Sequence, residues 1–129
     1  MADKLRAVIS VRVFGERKCF GPGVAELLRR VDEHRSLRAA AQSMNMAYSK
    51  AWTILHTAEE ELGFPLLDVR IGGRHGGGAA LTENARRVLG AYERVCARLR
   101  EQGEAIFAEE FSSFERVEEN TEESKKPEA

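Results

Sequence analysis

Ser49, Lys50, Thr53 and His56 fall within "YSKAWTILH", at spacings that gather them on one side of a helix. Hydroxyls, an ammonium and an imidazole so arranged offer donors and acceptors outward, suited to phosphates and to the edges of bases. Further along, "IGGRHGGGAALT" sets Gly72, Gly73, Gly76, Gly77 and Gly78 around Arg74 and His75. Glycine this dense lets a backbone come close to a nucleotide phosphate, a DNA groove or another turn of the chain. A Walker loop needs Lys-Ser/Thr after its last glycine, yet Ala79-Ala80-Leu81 follows here. A dinucleotide fingerprint needs glycines that open a helix inside a strand-helix-strand unit, and that context is missing.

Other chemistry finds little support. No Ser-His-Asp or Cys-His arrangement suggests itself, so a non-enzyme without a cofactor is expected. His34, His56 and His75 lie far apart, and Cys19 and Cys96 have no metal-ligand spacing. Reduced thiols are expected, in keeping with a cytoplasmic location. The opening residues scatter charges through their apolar stretch, unlike a signal peptide, and no apolar run is long enough for a membrane helix. The net charge of -1 conceals an asymmetry: residues 1–100 carry 17 Lys and Arg against 11 Asp and Glu, residues 101–129 carry 3 against 10. A basic body with an acidic extension suggests a polyanion-binding surface.

The elements that must position these residues follow from periodicity. "LRAVISVRV", residues 5–13, alternates and predicts a half-buried strand, with Val8 as its exception. Pro22 suits the start of a helix in which Val24, Leu27, Leu28 and Val31 share a face. Ser36 is a good N-cap for a short helix with Leu37, Ala40, Ala41 and Met44 on one face. After a break at "NMA", Ala51, Leu55, Ala58 and Leu62 form a second stripe, with Trp52 beside it, and Gly63 supplies the stop. A small-faced helix, a short turn and a helix with a polar outer face make a helix-turn-helix, whose second helix enters the DNA major groove. Glu59, Glu60 and Glu61 are kept to that helix's far end, away from phosphate.

"LLDVRI" and "AAL" then read as two short strands joined by the glycine-rich loop, the wing of a winged helix-turn-helix. Arg74, with His75 and Arg70, would reach phosphate or the minor groove. Thr82 caps a long final helix to about residue 111, with Val88, Tyr92, Val95, Leu99 and Ile106 along its apolar stripe. That stripe wants a partner, most simply its own copy in a homodimer, the alternative being its own domain on which it would fold back. Beyond it the chain is charged and expected to be disordered. The expected organisation is a DNA-binding domain over 1–81, a dimerisation helix over 82–112 and an acidic tail over 113–129, in a mainly α fold with a small β component.

In this order, "SLRAAAQSMNMAYSKAWTIL", "EEELGFPLLD" and "GGRHGGGAALTENARRVL" resemble the N-terminal DNA-binding domain of molybdate-responsive, ModE-type transcriptional regulators, relatives of the LysR-type winged helix-turn-helix. The resemblance covers roughly residues 5–110, and Tyr48-Ser-Lys-Ala-Trp52 and the glycine-rich wing are its most specific parts. It implies a homodimer on an inverted-repeat operator, with the recognition helix beginning near Ala47. Carried over by position, Ser49, Lys50 and Thr53 are groove contacts and Arg74 a wing contact, while Ser36, Arg38, Tyr48 and His56 complete the candidate surface. Full-length regulators of this type continue into an oxyanion-binding pair of β domains, whereas here an acidic stretch follows the long helix. An acidic stretch repels molybdate, so DNA binding without an oxyanion sensor is the expectation. The competing reading is a dimeric adaptor that docks a partner through that stretch. Both leave room for a protein or small-molecule signal.

Overall fold

The computed structural model describes residues 5–70, the side chain of Arg70 excepted, and 78–114. Its elements run β1 (Val13–Phe14), β2 (Lys18–Phe20), α1 (Pro22–His34), α2 (Leu37–Ser43), α3 (Tyr48–Leu62), β3 (Leu67–Arg70), β4 (Gly78–Leu81) and α4 (Glu83–Glu110). This is a mainly helical winged helix-turn-helix with a long C-terminal helix. Two compact units divide the chain: residues 10–94, and residues 1–9 together with 95–129.

In the unit 10–94, the stripe predicted for α1 is buried, and Leu27, Leu28 and Val31 join Phe20 and Leu66 as its largest fully enclosed side chains. Ala40 and Ala41 of α2 and Ala51, Leu55 and Ala58 of α3 complete this core. Small residues where α2 meets α3 let the two helices cross at close range. Arg30 joins α1 to α2 by donating to the Ser43 carbonyl (2.7 Å) at the end of α2, while its Nε donates to Glu26 (2.7 Å). The bond from Arg30 Nε, with a second from Arg29, holds the Glu26 carboxyl below its ordinary range. The first turns of α4 are tied to α1 by Arg29–Glu93 (2.8 Å) and Arg86–Asp32 (2.9 Å).

The caps follow the sequence closely. Pro22 opens α1, Ser36 Oγ accepts from Ala39 N (3.0 Å), and Gly63 ends α3 at φ 88°. Thr82 Oγ1 accepts from Ala85 N (3.0 Å) and donates to Pro65 O (2.8 Å), so one side chain caps α4 and anchors the approach to β3. The turn between α2 and α3 places Asn45 at φ 54°, a left-handed conformation that asparagine tolerates.

The predicted strand over residues 5–13 is shorter in the structure. Only Val13–Phe14 form β1, paired with β2, and residues 5–12 have no regular structure. A strand is defined by ladder bonds, and the Val11 carbonyl instead accepts from the Tyr92 hydroxyl (2.8 Å). In the other unit, Ile9 lies against Gly103 of α4, where a Cβ would overlap the isoleucine side chain. The exposed apolar residues of that unit include Leu5, Val95, Leu99, Ile106, Phe111 and Phe114. Phe111 stacks on Phe107 at 4.5 Å and meets Phe114 edge-on at 5.5 Å. Among the described residues, no helix is long and apolar enough to cross a membrane.

Candidate nucleic-acid interface

Helix α3 buries Ala51, Leu55 and Ala58, which turns Ser49, Lys50, Thr53 and His56 to the exposed side. Its N-cap, Ala47, offers no side-chain acceptor, and its carbonyl instead accepts from Lys50 N and Ala51 N (both 3.1 Å). Arg38 of α2 stands over the Tyr48 ring, 4.3 Å from the guanidinium carbon to the centroid. That cation–π contact brings Arg38 beside the start of α3 and holds it there. Ser36, by contrast, spends its hydroxyl on the α2 cap, so any contact it makes with a nucleic acid is secondary to that role.

The carboxylates at the acidic end of α3 are tied into the fold. Arg17, in the β1–β2 turn, donates to Glu60 and to Glu61 (both 2.8 Å), and Glu61 also accepts from Glu16 N (2.8 Å). Hydrogen bonding to Arg17 is the main cause that holds both carboxyls below their ordinary range. A lowered carboxyl stabilises the fold above its unfolded value and loses that contribution as pH falls through the folded one. This attachment of the β1–β2 turn to α3 therefore persists at neutral pH and loosens in acid. Glu59 accepts from Leu66 N (2.8 Å), so all three glutamates act as fasteners.

Strands β3 and β4 pair antiparallel from Leu67↔Leu81 to Arg70↔Gly78, the base of a wing. Gly72, Gly73, Arg74, His75, Gly76 and Gly77 lie outside the described residues, as does the side chain of Arg70. Gly78 is described, and there the close approach is internal. Ala79 N donates to Arg35 O (3.1 Å), and a Cβ on Gly78 would stand 3.2 Å from that same oxygen. The last glycine thus lets the start of β4 lie against the α1–α2 junction.

Across from the wing base, Tyr48, Trp52 and His56 form a stripe along one flank of α3. With Arg38, Leu67, Val69 and Ala79 they line a groove of about 560 Å³. Trp52 is half exposed and stacks on His56 at 4.7 Å, with the rings 14° from parallel. Sequence reasoning set Trp52 beside the core stripe and did not count it in the site. The available signal was its four-residue spacing from Tyr48 and His56, which continues the outer surface. Of the five dimerisation candidates, Val88 is half-buried and Tyr92 is buried in the unit 10–94, where it packs on Phe20 (4.9 Å). Val95, Leu99 and Ile106 are exposed in the other unit.

Residues 24–86 match the profile of the bacterial regulatory helix-turn-helix protein, lysR family. The chain is 35% identical over 72 residues to the transcriptional regulator ModE of Haemophilus influenzae, which covers 56% of this chain and 28% of that protein. It is 31% identical over 90 residues to the molybdenum-pterin-binding protein MopB of Rhodobacter capsulatus, covering 70% and 30%. With the molybdenum transport protein ModE of Azotobacter vinelandii it shares 32% over 69 residues, covering 54% and 26%. The chain thus spans less than a third of the length of each of these three relatives. The part of the chain that matches the lysR-family helix-turn-helix, residues 24–86, thus holds most of α1, all of α2 and α3, the wing strands and the start of α4, and the chain is similar to part of the ModE regulators.

Proposed function

We propose that this chain is a sequence-specific DNA-binding transcriptional regulator that acts as a homodimer. Helix α3 enters the major groove, where Ser49, Lys50, Thr53 and His56 meet bases and phosphates, while the wing, with Arg70, Arg74 and His75, lies on the adjacent backbone or minor groove. The observation that carries the reading is the sidedness of α3: its small apolar face is buried, its polar face is exposed, and its acidic end is held by Arg17.

Dimerisation is assigned to residues 95–114, supported by the exposure of Val95, Leu99 and Ile106 on one helix. The relatives' molybdenum-linked names make control of molybdenum-related genes the leading choice of target, with the signal supplied by a protein or small-molecule partner.

Nuclease protection on a genomic fragment that the protein retards tests this reading. Two protected half-sites in inverted repeat are expected, centred one helical turn of about 10 base pairs apart or a multiple of it. A single unsymmetrical footprint would contradict the dimer, and uniform protection without boundaries would contradict sequence specificity.

A further inference from the structure

We propose that Trp52 is a specificity-determining residue that reads the 5-methyl group of a thymine in the major groove. The inference rests on the DNA-binding reading above and deepens it. A tryptophan half exposed on a short domain gives up much of the stabilisation that burial would bring. Its place, in the same outer turns of α3 as Ser49 and Thr53, indicates a partner that covers it. Hydroxyls and an ammonium recognise polar atoms, and the apolar feature of the major groove is the thymine methyl. The indole meets that feature with a flat apolar face and has a single N–H donor beside it.

The ring is also held in place before any DNA arrives. Arg17 donates to Glu60 (2.8 Å), Glu60 lies 3.1 Å from His56 Nε2, and His56 stacks under Trp52. The β1–β2 turn thereby braces the indole through two intervening side chains. A plate fixed in one orientation loses little freedom on binding and discriminates more sharply than a mobile one. His56 is then a positioning residue for Trp52 as well as a polar group of the surface. Trp52 also lines the groove that Leu67 and Val69 share, and half of it remains exposed.

The test starts from a random-sequence duplex library, from which the wild-type protein selects its preferred duplex. Each thymine of that duplex is then replaced singly by uracil, which removes the methyl and keeps every hydrogen-bonding group. Loss of one buried methyl is expected to weaken wild-type binding about fourfold at one position of each half-site. Trp52→Ala should bind the parent duplex more weakly and show no uracil penalty at that position, while Trp52→Phe should retain part of it. Because Trp52 is the single tryptophan of the chain, its fluorescence should also change on binding the parent duplex, and change less with uracil at the critical position. This wild-type readout decides the matter even if Trp52→Ala fails to fold. Uracil tolerance at every position, or the same penalty in Trp52→Ala as in wild type, would overturn the proposal and leave DNA binding standing. Failure to enrich any duplex would overturn the DNA-binding reading and this inference together.

Discussion

Raising salt from about 50 to about 200 mM is expected to weaken duplex binding by roughly 10³- to 10⁵-fold. The range follows from the cations placed at the α1–α2 junction, on α2 and on α3. Arg17, Arg29, Arg30 and Arg86 are paired with carboxylates and hold the domain together. Arg35, Arg38 and Lys50 are exposed and have no ion pair among the described residues. Three per protomer make about 6 phosphate contacts for a dimer, and about 10 if Arg70 and Arg74 also reach the backbone; each contact releases counterions, so affinity falls steeply with salt. Fluorescence anisotropy of a labelled duplex across a salt series measures the slope. A flat dependence would mean that this surface does not neutralise phosphates.

Leu99→Glu is expected to raise the dimer dissociation constant by about 10²- to 4 × 10³-fold. Leu99 is 45% exposed in the single chain, on the same helix as exposed Val95 and Ile106. Across a twofold seam the substitution sets two carboxylates in an apolar contact, where an unpaired charge is costly: about 3–5 kcal/mol for a broken buried pair, and about 1.4 kcal/mol per tenfold in affinity. The side chain is exposed in the monomer, so the helical signal and the melting temperature of the separated chain should change little. Sedimentation should give monomer where the wild type is dimeric. A wild type that is itself monomeric at tens of micromolar would refute the dimer.

Much of this was legible in the chain because the decisive signals are local. The stripe Ala51, Leu55, Ala58 fixes which way α3 faces, and Ser36, Gly63 and Thr82 mark helix ends by their own chemistry. What was not legible depends on contacts between distant positions. Arg17 reaches Glu60 and Glu61 across more than 40 residues of chain, and no periodicity announces an ion pair of that kind. Alternation over residues 5–13 suggested a strand, but a strand needs a partner's backbone, and only Val13–Phe14 have one in β2. Trp52 was ambiguous because an aromatic at the flank of a stripe fits a core as readily as a surface. Gly78 proved to serve packing against Arg35, one of the options its glycine-rich surroundings allowed.

The proposed regulatory function depends on the binding of duplex DNA by the exposed face of α3. It is tested most directly by a mobility-shift titration of genomic fragments with the wild type and with Lys50→Ala at one fixed, low salt concentration. Lys50 is exposed and outside the core, so its removal should leave the fold intact, as circular dichroism can verify. The account predicts a discrete retarded complex with a subset of fragments, and an affinity about tenfold or more weaker for Lys50→Ala, the scale of a lost charged hydrogen bond. No retarded complex with any fragment, or equal affinity in the two proteins, would contradict it.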